Sequence, residues 1–257
     1  MVKKLSKRIY VSLILIFLYA PIFTLIVLSF NESRSMAVWK GFSFQWYVDL
    51  FQNESIKNAL YTTLIIATLS SLIATIIGTL ASIAMNSMKK VPRAILVGIT
   101  NIPMLNADIV TGISLMLLFV AINYSLGFSS VLLAHITFNI PYVILSVMPK
   151  LKQTNRNTYE AALDLGASPA YAFYKVILPD IFPGILSGFL LAFTMSLDDF
   201  VITHFTKGPG VDTLSTMIYT ELRKGINPEM YALSALLFVC VLVLLVVINR
   251  KSDETNE

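Results

Sequence analysis

Long apolar runs separated by short polar segments organise this sequence. They lie at about 9–30, 56–85, 94–122, 128–148, 181–204 and 230–249. Each is near or above the roughly 20 residues that an α-helix needs to cross a hydrocarbon core about 30 Å thick. Six such spans predict an all-α integral membrane protein, with one transmembrane domain over 1–257. The first run follows Lys3, Lys4, Lys7 and Arg8. It is too long for a signal peptide and no small-x-small cleavage site follows it, so it reads as an uncleaved span. Residues 31–55 are polar but rich in aromatics, including Trp39, Trp46 and Tyr47, and Ser43 to Gln52 reads as an interfacial helix. The second run is rich in Thr, Ser, Ala and Gly, which suits close helix packing in lipid. Lys89, Lys90 and Arg93 form a basic turn around Pro92. The third run is interrupted by Asn101, Pro103, Asn106 and Asp108, and Pro103 and Pro141 are expected to kink their helices. Asn227-Pro228-Glu229 reads as the cap, first position and acidic first turn of the last helix.

Composition agrees with the pattern. The chain is 56% hydrophobic and only 13% charged, about half the charge of an ordinary soluble domain. The single cysteine, Cys240, excludes an internal disulfide. No GxxxxGK[ST] phosphate loop occurs, so ATP, if the process uses it, is hydrolysed by another chain. Six spans put both termini on one side. Thirteen Lys and Arg residues fall on the segments of that side and six on the other. Basic residues accumulate inside, so both termini and the 150–180 segment are expected in the cytoplasm.

Asp108, Asp198 and Asp199 are the acids inside the spans, and no Lys or Arg lies in a span interior. A carboxylate there costs at least about 2.5 kcal/mol on insertion scales and usually marks a solute or ion path. Taking straight helices, Asp108 lies roughly 22 Å beyond Arg93 and Asp198 roughly 26 Å beyond Ile181. Both then sit at similar depth in the outer half of the membrane. Helical spacing puts Asn101, Asp108 and Thr111 on one face, and Ser196, Asp199 and Thr203 on another. Acids and small hydroxyls without a base favour a cationic solute, and an aliphatic polyamine fits that chemistry. The plainer alternative pairs these acids with His135 or with helix N–H groups. His135 itself reads as a packing residue of the fourth span.

The segment from Asn157 to Pro179 is too polar to span. Residues 158–165 read as a helix, Gly166 as its left-handed terminator, Ser168 as an N-cap and Pro169 as a first helical residue. A second short helix should run to Ile177, with Pro179 stopping it. Within this segment Glu160-Ala161-Ala162, then Gly166 after three residues, then Val176-Ile177-Leu178-Pro179 after nine, resembles the E-A-A-x3-G-x9-I-x-L-P loop of membrane subunits of binding-protein-dependent ABC importers. Val176 stands where Ile is usual. The resemblance implies the type I importer permease fold and a loop, Glu160 through Pro179, that docks into a cytoplasmic ATPase. It places no cofactor on this chain, and ATP with Mg on the partner.

Ser196-Leu197-Asp198-Asp199, Lys207-Gly208-Pro209, Asn227-Pro228-Glu229, Asn53-Glu54-Ser55 and Asp108-Ile109-Val110 are similar to the second permease subunit (PotC type) of spermidine/putrescine importers. The expected solute path runs over Asp108, Asp198 and Asp199 with Ser196 as a supporting hydroxyl, and Trp46 on the interfacial helix reads as part of its outer entrance or as a headgroup anchor. The likeness covers nearly the whole chain. It implies as partners two ATPase subunits, a sister permease and an extracytoplasmic polyamine-binding protein, in a bacterial inner or plasma membrane. Neither nucleic acid, a metal nor catalysis enters this reading. Three alternatives stay open: an importer permease for another cationic or neutral solute, an intramembrane aspartyl protease, which the missing G-x-G-D segment disfavours, and a secondary transporter, for which no inverted repeat is visible.

Overall fold

The computed structural model describes residues 2–34, 38–224 and 227–253, and all of its regular elements there are helical. In chain order they are α1 (Val2–Leu28), α2 (Gln45–Gln52), α3 (Glu54–Ser87), α4 (Lys90–Leu105), α5 (Asp108–Ala121) and α6 (Phe128–Gln153). There follow α7 (Arg156–Asp164), α8 (Pro169–Ala172), a π-turn (Phe173–Ile177), α9 (Leu178–Asp198), α10 (Val201–Thr206), α11 (Leu214–Lys224) and α12 (Pro228–Asp253). Among the described residues four stretches are long and apolar enough to cross a bilayer: Tyr10–Leu28, Glu54–Ser87, Phe128–Gln153 and Pro169–Asp198. The bent pair α4 and α5 makes a fifth if counted as one span. The run expected at 230–249 falls on α12, whose described apolar part is Pro228–Val239. The side chains of Cys240, of Arg156 and of the basic residues at both chain ends lie outside the described set.

Two compact units divide the chain, residues 1–57 with 217–257, and residues 58–216. In the first, α12 packs on α1 and α2. The segment before α2 is folded back by Asn31. Its Nδ2 donates to the Val38 carbonyl at 3.0 Å and its Oδ1 accepts from the Lys40 N–H at 3.1 Å. Phe30 stacks on Phe42 at 5.0 Å and meets Phe44 edge-on. The Asn53 amide donates to Glu229 at 3.2 Å, tying the start of α12 to the end of α2.

In the second unit α6 is the central helix, with Ala134, Asn139, Val143 and Val147 wholly buried. α9 lies along it most extensively. Gly184 and Gly188 allow this, since a Cβ at either would press on Lys150, Ser146 and Val143. α5 rests on α10 through Gly112, where a Cβ would stand 3.1 Å from Phe205 and 3.3 Å from the Ile202 Cα. Phe119, Ala134, Phe138 and Ile202 close one apolar cluster, and Ala74, Val143, Val147, Ile181 and Ala192 another.

Three sequence expectations change. The third span is not one interrupted helix: α4 and α5 meet at 103° across Asn106 and Ala107. A straight-helix rise therefore does not give the depth of Asp108, and Asn101 does not share its face. Pro103 lies in the last turn before this break, where its missing N–H removes a helical hydrogen bond and its ring crowds the preceding turn. The fifth span ends at Asp198 and restarts as α10. Pro179 does not stop the helix it follows. The π-turn at Phe173–Ile177 widens the coil where Pro179 would otherwise meet the Lys175 carbonyl, and α9 continues through it. Pro141 sits inside α6, which runs unbroken to Gln153.

Candidate functional site

Around His135 four helices, α3, α6, α9 and α10, contribute to one polar network in the second unit. The imidazole is 1% exposed, on the inward face of α6. Its Nδ1 lies 2.6 Å from the Ser196 hydroxyl of α9, and its Nε2 lies 2.9 Å from the Thr203 hydroxyl of α10. Ser196 is bonded in turn to Ser70 of α3 at 3.0 Å, and the Asn139 amide donates to Ser70 at 3.5 Å. α5 packs against α10 from outside the network. The direction of the chain follows from proton counting. The Thr203 hydroxyl gives its one proton to Asp199 Oδ2 at 2.8 Å, so toward His135 it accepts. A neutral His135 then carries its proton on Nε2, and Nδ1 accepts from Ser196.

Asp199 occupies the break between α9 and α10. Its Oδ1 accepts from the Ile202 N–H at 3.2 Å, and its Oδ2 from the Thr203 N–H at 2.7 Å. The His135 Nε2 stands 3.5 Å from the same Oδ2. These are the otherwise orphaned N–H groups at the start of α10, so the carboxylate serves as that helix's cap. Its side chain is 8% exposed. The neighbouring Asp198, the last residue of α9, is exposed, and so is Asp108, the first residue of α5. Asp108 sits at a helix N-terminus, where the macrodipole favours a negative charge.

The sequence-named residues therefore separate. Ser196 and Asp199 are brought together with His135, Thr203 and Ser70, while Asp108 and Asp198 face outward from this chain. Ser196 is a buried network member rather than a hydroxyl open to a path. Trp46 leaves the path: it is 5% exposed, and its indole N–H donates to the Asn31 carbonyl at 2.6 Å. It pins the folded segment of the first unit instead of standing open at an entrance or a headgroup layer. Sequence reasoning put Thr203 on the face of Ser196 and Asp199 but missed its bond to His135, and it missed Ser70 as the partner of Ser196, because small hydroxyls are common in such helices and nothing local marks the pairing.

The Glu160–Pro179 stretch has local geometry of its own. Asn155 caps α7, accepting from the Asn157 N–H at 3.0 Å. At its other end the Ala167 N–H bonds the Ala162 carbonyl at 3.1 Å and the Gly166 N–H bonds Leu163 at 2.9 Å, with Gly166 at φ +88°. This is a Schellman ending, which favours a residue without a Cβ. Ser168 then accepts from the Tyr171 N–H at 3.3 Å and opens α8 at Pro169. The turn presents Leu165, 89% exposed, beside the exposed Glu160, Ala161 and Tyr171. Leu178 is half-buried and Pro179 exposed at the start of α9.

Residues 74–251 match the family described as binding-protein-dependent transport system inner membrane component. The putrescine transport system permease protein PotI of Escherichia coli strain K12 is 38% identical over 232 residues, 88% of this chain and 83% of that protein. The spermidine/putrescine transport system permease protein PotC of Haemophilus influenzae is 38% identical over 250 residues, 96% and 97% of the two. A crystal structure of a bacterial ABC transporter that imports the acidic polysaccharide alginate superimposes with a TM-score of 0.74. It covers 98% of this chain and 96% of that one, at 18% identity, and shares the fold.

Proposed function

The chain belongs to the family of binding-protein-dependent transport system inner membrane components, and from that premise we propose that it is a channel-forming permease subunit of an ATP-driven polyamine importer. One observation carries the choice of solute. In a chain 38% identical to permeases named for putrescine and for spermidine with putrescine, Asp108 and Asp198 stand exposed at the ends of apolar helices that contain no Lys or Arg. A polyamine entering a low-dielectric path sheds water from each ammonium, and a carboxylate offsets part of that loss. Asp108 and Asp198 are the acids that supply this contact.

In this reading the segment from Glu160 to Pro179 docks on one of two ATPase subunits, which hold ATP and Mg. The Schellman turn at Gly166 and the exposed Leu165 support it, because a rigid, partly apolar protrusion suits transmission of movement between subunits. A sister permease completes the channel and an extracytoplasmic binding protein delivers the solute. The thirteen-to-six excess of basic residues supports cytoplasmic termini in an inner or plasma membrane.

Reconstitution of the complex in proteoliposomes tests the assignment. ATPase activity should rise with binding protein loaded with putrescine or spermidine, and not with binding proteins for neutral sugars or acidic solutes. Stimulation by another cationic or a neutral solute, with none by either polyamine, would move the chain to a different substrate class while leaving the permease role intact.

A further inference from the structure

We infer that Asp199, together with Thr203 and His135, is a positioning device that aims Asp198 at the solute, and that it does not itself touch the solute. The inference rests on the polyamine reading above and divides labour among its acids. Asp198 and Asp199 are adjacent and carry the same functional group, yet their surroundings are opposite. Asp198 is exposed. Asp199 has its oxygens occupied by the Ile202 N–H, the Thr203 N–H and the Thr203 hydroxyl, with His135 Nε2 at 3.5 Å. A carboxylate has about four acceptor sites. Taking a cation from solution would require it to release the cap of α10, which would leave buried N–H groups unpaired.

The effect on Asp198 is geometric. α9 ends at Asp198, the chain is extended at Asp199 (φ −63°, ψ 124°), and α10 begins at Val201. No continuous helix holds the Asp198 carboxylate in place at that point. The direction of the break is set by the Asp199 bonds to α10 and by His135, which bridges α9 at Ser196 and α10 at Thr203. The same imidazole therefore joins the two pieces of the broken helix to α6. A contacting group on a helix end is as well placed as the shell that locks that end, and here the shell is this triad.

Epistasis separates positioning from contact, with uptake of putrescine and spermidine by the reconstituted complex as the measurement. Asp199→Asn keeps the shape but sets an amide against the α10 N–H groups. It should lower uptake about tenfold with the complex still assembled, a size ordinary for one member of a bonded network. Thr203→Val should do the same and Thr203→Ser should restore uptake, because only the hydroxyl is at issue. In an Asp198→Asn background, Asp199→Asn should cost no more than about a further twofold, since a misaimed group that is already absent cannot be lost twice.

Losses that multiply across the two positions would overturn the inference, because both direct contact and a plain folding role predict independent effects. If Asp199→Asn fails to assemble, the Thr203→Val and Thr203→Ser pair in the two backgrounds gives the same reading. Normal uptake in Asp198→Asn alone would instead remove the polyamine path. The triad is then judged by treating the assembled complex with a water-soluble carbodiimide and glycine ethyl ester, followed by peptide mass analysis. Tagging that prefers Asp198 supports a shielded Asp199, and tagging without that preference counts against it.

Discussion

Two helix breaks interrupt the apolar spans of the second unit, and each carries an aspartate, yet the two treat their acid in opposite ways. At Asn106 and Ala107 the chain turns through 103°, no side chain caps the new helix, and Asp108 begins α5 exposed. At Asp199 and Phe200 the side chain folds onto α10, caps it, and is closed over by His135 and Thr203. A carboxylate within an apolar span carries an insertion penalty at either break. What offsets it differs: hydrogen bonds from the N–H groups of α10 and the Thr203 hydroxyl at one break, and exposure at the N-terminal end of the α5 dipole at the other. An acid in an apolar span therefore shows that its charge must be offset, and only packing shows whether the protein itself does so.

Ranked by stability, the comparison can be broken in four ways. His135→Ala should be the most damaging, by about 2–4 kcal/mol, because it opens a cavity and takes one partner from each of the buried Ser196 and Thr203 hydroxyls. Asn106→Ala at the exposed break should stay within about 0.5 kcal/mol. Thermal melting of the purified complex reads both, and equal shifts would erase the contrast between the breaks. Next comes Gly112→Leu, which drives a side chain into Phe205 and the α10 backbone and should cost about 1–3 kcal/mol by overpacking. Gly98→Leu on α4 meets nothing within 4 Å and serves as its counterpart. A melting temperature lowered equally by both would mean that α10 is not braced by α5.

Gly166→Val probes a turn outside both breaks. A β-branched residue at φ +88° costs about 1–2 kcal/mol locally. Uptake should collapse while membrane insertion survives, since what is lost is the shape offered to the ATPase. Full uptake with the ATPase still bound would remove the docking assignment. The smallest stability change is expected for Asp108→Asn and Asp198→Asn, within about 0.5 kcal/mol, because neither exposed carboxylate holds a helix together. Uptake should nonetheless fall, and more for the triamine spermidine than for the diamine putrescine. Destabilised complexes with equal losses for the two solutes would make these acids structural, like Asp199.

Much of the Glu160–Pro179 stretch was legible in residue order alone. Gly166, Ser168 and Pro169 each act within about four residues of themselves, through φ, a cap bond and a missing N–H, so their order in the sequence carries the turn. Pro179 misled for a related reason: its effect depends on whether the preceding turn is α or π, and here it is π. Trp46 misled more fully. An amphipathic aromatic next to a span suits the interface in general, but this one is folded inward by the Asn31 carbonyl, 15 residues away.

Residue order by itself determined the long apolar helices, the turn at Gly166, and the presence of three carboxylates whose charge must be offset. Those properties come from side-chain transfer energies and backbone preferences, which act over at most a few turns. Only the tertiary structure decided that α4 and α5 bend apart, that His135 is a bridge rather than packing, and that Asp199 is sealed while Asp198 is open. The partners involved are 61, 68 and 126 residues apart, His135 with Ser196, His135 with Thr203, and Ser70 with Ser196. Small hydroxyls at such separations have no local signature. They become partners when glycines such as Gly188 let α9 lie close against α6, and a bond of 2.6 Å leaves little room for any other arrangement.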